Sequence, residues 1–230
     1  MNLQGSDISV LIPAFNAEHF IDEAIQSVVN QTVRPGEIIV VDDGSIDATA
    51  VRCSAWAPDV ALIRQSNAGP GRARNVAAHA ATGAGFALLD ADDTWLPHKL
   101  EVQLAYLADH PDHVAVFGWM QNFVDPHSHL VVGPKAQLDA RPAHQPSTML
   151  ARRAVVDAIG PFDEVGPLQG WLDWFMRLRE SGLSIGMVDQ LVTMRRIHDD
   201  NLSIREQAHK SELHRFLHAS LQRRRERGPA

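Results

Sequence analysis

The feature that most limits what this chain can fold into is a strand–helix rhythm through its first half. Ile8-Ser9-Val10-Leu11-Ile12 is a short apolar run closed by Pro13, and it reads as a buried strand. Phe20, Ile21, Ala24, Ile25, Val28 and Val29 then recur at helical spacing, the apolar stripe of an amphipathic helix. Further strands are predicted at Glu37–Val41, Val60–Arg64 and Phe86–Leu89. A helix follows Asp42-Asp43-Gly44-Ser45, and another runs from Gly69-Pro70-Gly71 through Ala81. Strand and helix alternate about every 25 residues, the spacing of βαβ units. The expected class is α/β, with a Rossmann-like, mostly parallel central sheet flanked by helices.

The second half is less regular. A helix is predicted over Pro97–Ala108 and a β stretch over Val114–Val124. A loop rich in Pro, His and Gly covers Asp125–Pro146. Helices follow near Arg152–Ile159 and Leu172–Ser181, then a strand at Ser184–Val188 and a final helix from about Leu202. The expected organisation is one domain over residues 1–230. A nucleotide-type half to about residue 95 shares its core with an acceptor-type half after it.

The chemistry is concentrated where strands end. Leu88-Leu89 leads directly into Asp90-Ala91-Asp92-Asp93. Asp90 and Asp92 are two residues apart, so in an extended segment their side chains project the same way. Paired carboxylates repel unless a cation lies between them, and hard oxygen ligands at an open site suit Mg²⁺ or Mn²⁺ shared with phosphates. Solvated acids capping a strand end are the plainer alternative. Asp42-Asp43-Gly44-Ser45 is a second acidic strand end, able to accept hydrogen bonds from a base or ribose, or simply to turn and cap the next helix. Gly69-Pro70-Gly71-Arg72-Ala73-Arg74-Asn75 has the look of a glycine-rich phosphate loop but lacks a Walker lysine; a turn and helix start is the plainer reading, although Arg72 and Arg74 could aid a phosphate ligand. Ligands of open α/β sheets bind beyond the carboxyl ends of strands. Asn16, Asp42, Asp43, Asp90, Asp92 and Asp93 are therefore expected to meet at one crevice.

Taken together and in order, these motifs resemble family 2 glycosyltransferases. Ser9–Glu18 is similar to that family's opening strand, Glu37–Thr49 to its second signature and Asn67–Asn75 to its third. Asp90-Ala91-Asp92 is similar to its Asp-x-Asp motif, with Trp95–Leu100 following as in many members. The resemblance implies a GT-A fold, a nucleotide-diphospho-sugar donor, most often UDP-linked, and Mn²⁺ or Mg²⁺. It further implies that Pro13, Phe15 and Asn16 lie along the nucleoside pocket and that Asp42 binds the base. Arg72 would lie near the base or phosphates, Asp90 would bind the ribose, and Asp92 would ligate the metal.

The likeness is looser beyond residue 100. Gly160–Glu164 resembles the turn before the acceptor helix, and Gly170–Leu178 the helix that carries the catalytic base. Many members place a Glu-Asp pair where this chain has Gly170-Trp171, so the acid expected to act as base is Asp173; capping the helix is its other reading. Arg195–Ser203 resembles the segment that closes the site, which gives His198 a place near the metal or diphosphate. Trp171 and Trp174, three apart, either line a sugar pocket or pack in the core.

One base and one leaving-group metal imply single displacement with inversion at the sugar. The partners implied are the donor and a hydroxyl-bearing acceptor: a glycan, lipid-linked glycan, peptide or small molecule. A sugar-phosphate nucleotidyltransferase is disfavoured because Pro13–Glu18 holds no Gly or Lys. A catalytically silent donor-binding or partner subunit remains open on the Gly170-Trp171 departure. The formal charge of −7 argues against nucleic acid as a default partner. Arg205–Arg227 nevertheless carries seven basic and three acidic residues, either a solvated helical face or a peripheral contact with an anionic membrane or a partner. Cys53 is the single cysteine, which excludes an intramolecular disulfide. No signal sequence is visible, and a cytoplasmic location is expected.

Overall fold

A computed structural model describes residues 2–130, 138–164 and 169–201. Its strands are β1 (Ile8–Ala14), β2 (Glu37–Asp42), β3 (Val60–Arg64), β4 (Gly85–Leu88), β5 (Thr94–Trp95), β6 (His113–Val124), β7 (Arg141–Ala143), β8 (Leu150–Arg152) and β9 (Ser184–Ile197). Its α-helices are α1 (Ile21–Val29), α2 (Thr49–Ser54), α3 (Pro70–Ala80), α4 (Lys99–Asp109), α5 (Ala154–Ile159) and α6 (Gln169–Glu180). All nine strands join one sheet in the order β3-β2-β1-β4-β8-β6-β9-β5, with β7 on β6. The first four are mutually parallel, and β6 and β9 are parallel to each other. The expected mixed α/β sheet, mostly parallel, is present.

Alternation along the buried strands divides the core between the two faces of the sheet. Val10, Ile12, Ile38 and Val40 face α1, Cys53 of α2, and Leu100, Leu104 and Leu107 of α4. Leu11, Ile39, Val41 and Leu88 face Ala73 and Ala77 of α3, Val155 of α5 and Trp174 and Leu178 of α6. Helices on both faces explain why these strands read as continuous apolar runs.

Three boundaries differ from expectation. Pro13 does not end β1, which continues to Ala14. Pro13 shares its phase with Leu11, whose carbonyl accepts from Leu89. β4 has left the ladder by then, so the missing N–H costs no bond. Leu150–Arg152 forms β8, an antiparallel strand between β4 and β6, too short to show any periodicity. β9 runs on past Val188 to Ile197. Phe117 and Trp119 pair with Met187 and Leu191, so a bulge absorbs Val188-Asp189-Gln190, and its exposed polar pair disguised the continuation. The helix expected from about Leu202 and the basic Arg205–Arg227 tail lie outside the described residues.

Candidate active site

A cleft of about 1140 Å³ opens beyond the carboxyl ends of β1, β2 and β4, between α3, α6 and the end of β9. Pro13, Phe15, Asn16, Asp90, Asp92 and His198 all line it, as does Asp43, whereas Asp42, Arg72 and Asp173 do not.

The wall nearest β1 and β2 is built from reciprocal bonds. Asn16 has a φ of 48°, a left-handed conformation that Asn tolerates. Its backbone N–H donates to Ser45 Oγ at 2.9 Å, and its Oδ1 accepts from the Ile46 N–H at 3.0 Å. Phe15, half exposed, is left projecting at the cleft. Asp42 is fully buried. It accepts from the Ser45 N–H at 3.1 Å and from Arg64 Nε at 2.9 Å, and so secures the turn from behind. Asp43, its neighbour, points the other way because side chains alternate. Its carboxylate accepts from Gln65 Nε2 at 2.6 Å and from the N–H groups of Ala68 and Gly69 at 2.9 and 2.8 Å. Asp43 thereby fixes the loop that leads into α3.

The Asp90–Asp93 turn forms the floor. Asp90 Oδ1 accepts from Arg74 Nη2 at 2.8 Å. Ser147, in a single 3₁₀ turn at Pro146–Thr148, accepts from the Asp90 N–H at 3.1 Å and donates to Asp93 Oδ2 at 2.7 Å. Burial pushes the Asp93 carboxyl well above the usual range, and the charges of Asp92 and Asp90 add to the shift. Asp92 Oδ2 lies 3.1 Å from His198 Nε2 and accepts from Asn201 Nδ2 at 3.0 Å. The His198 ring packs on Phe20 at 4.4 Å. Arg196, at the end of β9, is buried beneath. It donates to Asp125 Oδ2 at 2.7 Å, to the Asp92 carbonyl at 3.2 Å and to Glu23, and its N–H donates to Asp93 Oδ1.

On α3 the structure separates two arginines. Arg72 does not line the cleft and donates from Nη1 to Glu164 Oε1 at 3.3 Å. Arg74 lines the cleft. It is 5% exposed, and its Nε and Nη1 have no hydrogen-bond partner. The motif did not single out Arg74 from Arg72, and it passed over Ser147. Helical phase could have favoured Arg74, two positions from Arg72; nothing local marks Ser147.

Asp173, expected from the sequence to act as base, is placed by the fold outside the lining of the cleft. Asp173 Oδ2 accepts from Arg177 Nε at 2.7 Å, one turn along α6. Arg177 in turn donates to the carbonyls of Ile159 and Pro161, so Asp173 belongs to the junction of α5 and α6. Trp171 and Leu172 are the α6 residues that reach the cleft. Trp171 stacks with Trp174 at 5.6 Å and donates from Nε1 to the His144 carbonyl at 3.1 Å. Trp174 is wholly buried in the core.

Among the described residues, no group of three His, Cys, Asp or Glu side chains forms a self-sufficient metal site. Asp92 and His198 offer one carboxylate and one imidazole at an open cleft, and among the described residues none donates to Asp92 Oδ1. This donor set fits a Mg²⁺ or Mn²⁺ ion that takes one or two protein ligands and completes its shell with phosphates and water.

Known proteins are similar to this chain in sequence or in fold. WfgD of Escherichia coli, a UDP-Glc:alpha-D-GlcNAc-diphosphoundecaprenol beta-1,3-glucosyltransferase, is 37% identical over 102 residues, which is 44% of this chain and 40% of that protein. Staphylococcus aureus TarS 1–349 in complex with UDP-GlcNAc matches with a TM-score of 0.68 and 21% identity, over 84% of this chain and 59% of that one. The mannosyltransferase PcManGT of Pyrobaculum calidifontis in complex with GDP-Man and Mn²⁺ matches with a TM-score of 0.66 and 19% identity, over 85% and 58%. This chain spans less than two thirds of the length of the curated relatives it matches. The fold is the GT-A fold of such enzymes, with the cleft at the carboxyl ends of its parallel strands. The sequence profile of glycosyl transferase family 2 matches residues 9–132, more than half of the chain and every strand end that builds the donor side of the cleft, so the chain belongs to that family.

Proposed function

We propose that this chain transfers a sugar, with inversion, from a nucleotide-diphospho-sugar to an acceptor hydroxyl, and that the nucleotide is UDP. The observation that carries this reading is the convergence of Asp43, Asp90, Asp92, Arg74 and His198 on one cleft. In it, Phe15 offers an exposed ring face to the base, alongside Pro13 and Asn16. Asp90, steadied by Arg74 and Ser147, accepts from the ribose. The unpartnered Nε and Nη1 of Arg74 supply N–H donors to the ribose or diphosphate, charge-assisted bonds of the stronger kind. Base recognition, expected of Asp42, moves to the cleft side of the same turn. There Asp43 holds Ala68 and Gly69 in place.

Asp92 and His198 would hold Mn²⁺ or Mg²⁺, which supplies Lewis-acid charge to the leaving diphosphate. Trp171 and Leu172 close the opposite side and exclude water from the reacting carbon. The acceptor hydroxyl enters from that side, opposite the leaving group, and no covalent enzyme intermediate is formed. That geometry is what makes the transfer inverting.

Calorimetry with UDP and Mn²⁺ tests this reading. UDP should bind with Mn²⁺ present, EDTA should abolish binding, and Asp92→Asn should reproduce the EDTA result. Equal affinity with and without metal would remove Asp92 and His198 from the assignment. The Gly170-Trp171 pair favours one second reading, a donor-binding protein without transferase activity. UDP release from a panel of nucleotide-diphospho-sugars separates the two. The glycan, lipid-linked, peptide or small-molecule character of the acceptor, and any membrane contact of the basic tail, would follow from the same assay with candidate acceptors. Among the described residues, no helix is long and apolar enough to cross a membrane.

A further inference from the structure

Gly170 stands where many family members carry an acid, and its packing shows why none fits there. A Cβ on Gly170 would lie 2.4 Å from the Asp163 carbonyl oxygen, and a Cβ on Gly71 would lie 2.1 Å from the same atom. The Asp163 carbonyl is wedged between α3 and α6, an approach that only glycine on both sides permits. The wedge delivers the next residue, Glu164, to the wall of the cleft.

Glu164 is held there by α3. Its Oε1 accepts from Asn75 Nδ2 at 2.8 Å and from Arg72 Nη1 at 3.3 Å. Asn75 also grips the backbone of Phe162, donating to its carbonyl and accepting from its N–H, each at 2.9 Å. Among the described residues, none donates to Glu164 Oε2, and the side chain is 42% exposed. Four other acids lining the cleft have separate engagements: Asp43 with the loop before α3, Asp90 with Arg74, Asp92 with His198 and Asn201, Asp93 with Ser147; the fifth, Asp200, lies past the end of β9, where its N–H donates to His198 Nδ1. The hydrogen bond from Asn75, and after it Arg72, holds the Glu164 carboxyl below the usual range, so it stands ionised at neutral pH. Arg74 and Arg72 sit on the same turn of α3, so one helix end fixes both Asp90 and Glu164.

We propose that Glu164 is the general base of the transfer and replaces the acid that relatives carry on α6. This rests on the transferase reading above. As the acceptor oxygen bonds to the anomeric carbon, its proton passes to Glu164 Oε2, and the carbon–oxygen bond to the diphosphate breaks with its electron pair leaving on UDP. With water as acceptor the products are free sugar and UDP. Sequence pattern points instead to Asp173, which the fold ties to Arg177.

The test follows UDP release from a panel of nucleotide-diphospho-sugars in Mn²⁺, with water as acceptor and with added azide. Glu164→Gln keeps an oxygen for Asn75 and Arg72 but cannot take a proton. Its kcat for hydrolysis should fall roughly 10²–10⁴-fold, while UDP affinity by calorimetry stays that of the wild type. Azide is already an anion and needs no base, so it should restore turnover in this variant and yield a glycosyl azide of inverted configuration. A Gln variant that hydrolyses donor at the wild-type rate, or that loses turnover and regains none with azide, overturns the proposal. If the Gln variant does not fold, Glu164→Asp decides. It keeps the acid but withdraws it by one methylene, so kcat should drop with UDP affinity kept, and an unchanged kcat overturns the assignment. A wild-type protein that binds UDP yet turns over no donor sinks the transferase reading itself, and the base with it.

Discussion

Asp173 lies one turn before Arg177 on α6 and accepts from its Nε, while Arg177 donates to the carbonyls of Ile159 and Pro161. Asp173→Asn breaks a half-buried charged pair at that junction. Stability should fall by about 1–3 kcal/mol, the cost of leaving such a partner poorly satisfied, while donor turnover stays near wild type; urea unfolding and UDP release check the two halves. Lys99 is a residue whose environment no motif signals. It is fully buried among neutral partners: Gln103 Oε1 at 2.7 Å, the Met149 carbonyl at 3.2 Å and the Trp95 ring at 4.1 Å. Burial holds its amine well below the ordinary lysine range. The unfolded chain keeps that proton up to about pH 10.4, whereas the folded chain gives it up at lower pH. Stability from this group is therefore fully present above the unfolded pKa and is lost as pH falls through the folded one. Lys99→Met removes the dependence. The stability of the wild type relative to this variant should rise between about pH 7 and about pH 10, as urea unfolding at both values would show.

The same scale explains what the motifs could not resolve. Asp42 and Asp43 are adjacent, and Arg72 and Arg74, of which only the second lines the cleft, are two apart on one turn of α3. The motif locates the strand end or helix start, but the phase decides which neighbour meets the ligand. One step of register exchanges a cleft residue for a buried one.

At the level of elements, β1–β4 and α1–α4 were legible because apolar period and turn residues agree there. β8 is three residues long and shows no period. β9 was read only to Val188, since the bulge places Asp189-Gln190 inside a continuous strand. α3 and α6 meet through a backbone contact that leaves no side-chain signature apart from two glycines. Gly71→Ala tests that contact. The obstructing atom is the Asp163 backbone oxygen, which cannot swing aside as a side chain would. The variant should lose about 1–3 kcal/mol, the usual cost of overpacking, and should displace Glu164 from the cleft. Thermal unfolding and donor turnover should both register the change, with UDP binding less affected because Asp43 and Asp90 lie on other segments.

For the molecule as a whole, Arg196 joins regions far apart in sequence: Glu23 on α1, Asp125 after β6 and the Asp92–Asp93 turn. Its guanidinium also packs over Phe20 and Phe123, at 5.2 and 4.7 Å from the ring centroids. Arg196→Met leaves the buried Asp125 without its counter-charge, and stability should fall by about 3–5 kcal/mol. Metal-dependent UDP binding should weaken as well, since Arg196 supports the turn that carries Asp92. Urea unfolding and calorimetry provide the check. This convergence was foreseen only as a likeness of Arg195–Ser203 to a site-closing segment. Contacts spanning more than a hundred residues have no local pattern to betray them.

The position of β9 has a consequence for how the protein comes into being. Asp43, Asp90 and Asp92 all emerge from the ribosome long before β9, and although Arg74 is already there to pair with Asp90, the partners of Asp92 are not yet made. Arg196, His198 and Asn201, which settle that turn, arrive only after β9 has been translated and has zipped along β6. A nascent chain halted at the bulge would carry the donor half of the cleft with Asp92 still without His198 and Asn201. Competence to hold a nucleotide therefore waits for the end of β9, and nucleotide protection of stalled chains should appear abruptly once residue 201 has cleared the exit tunnel.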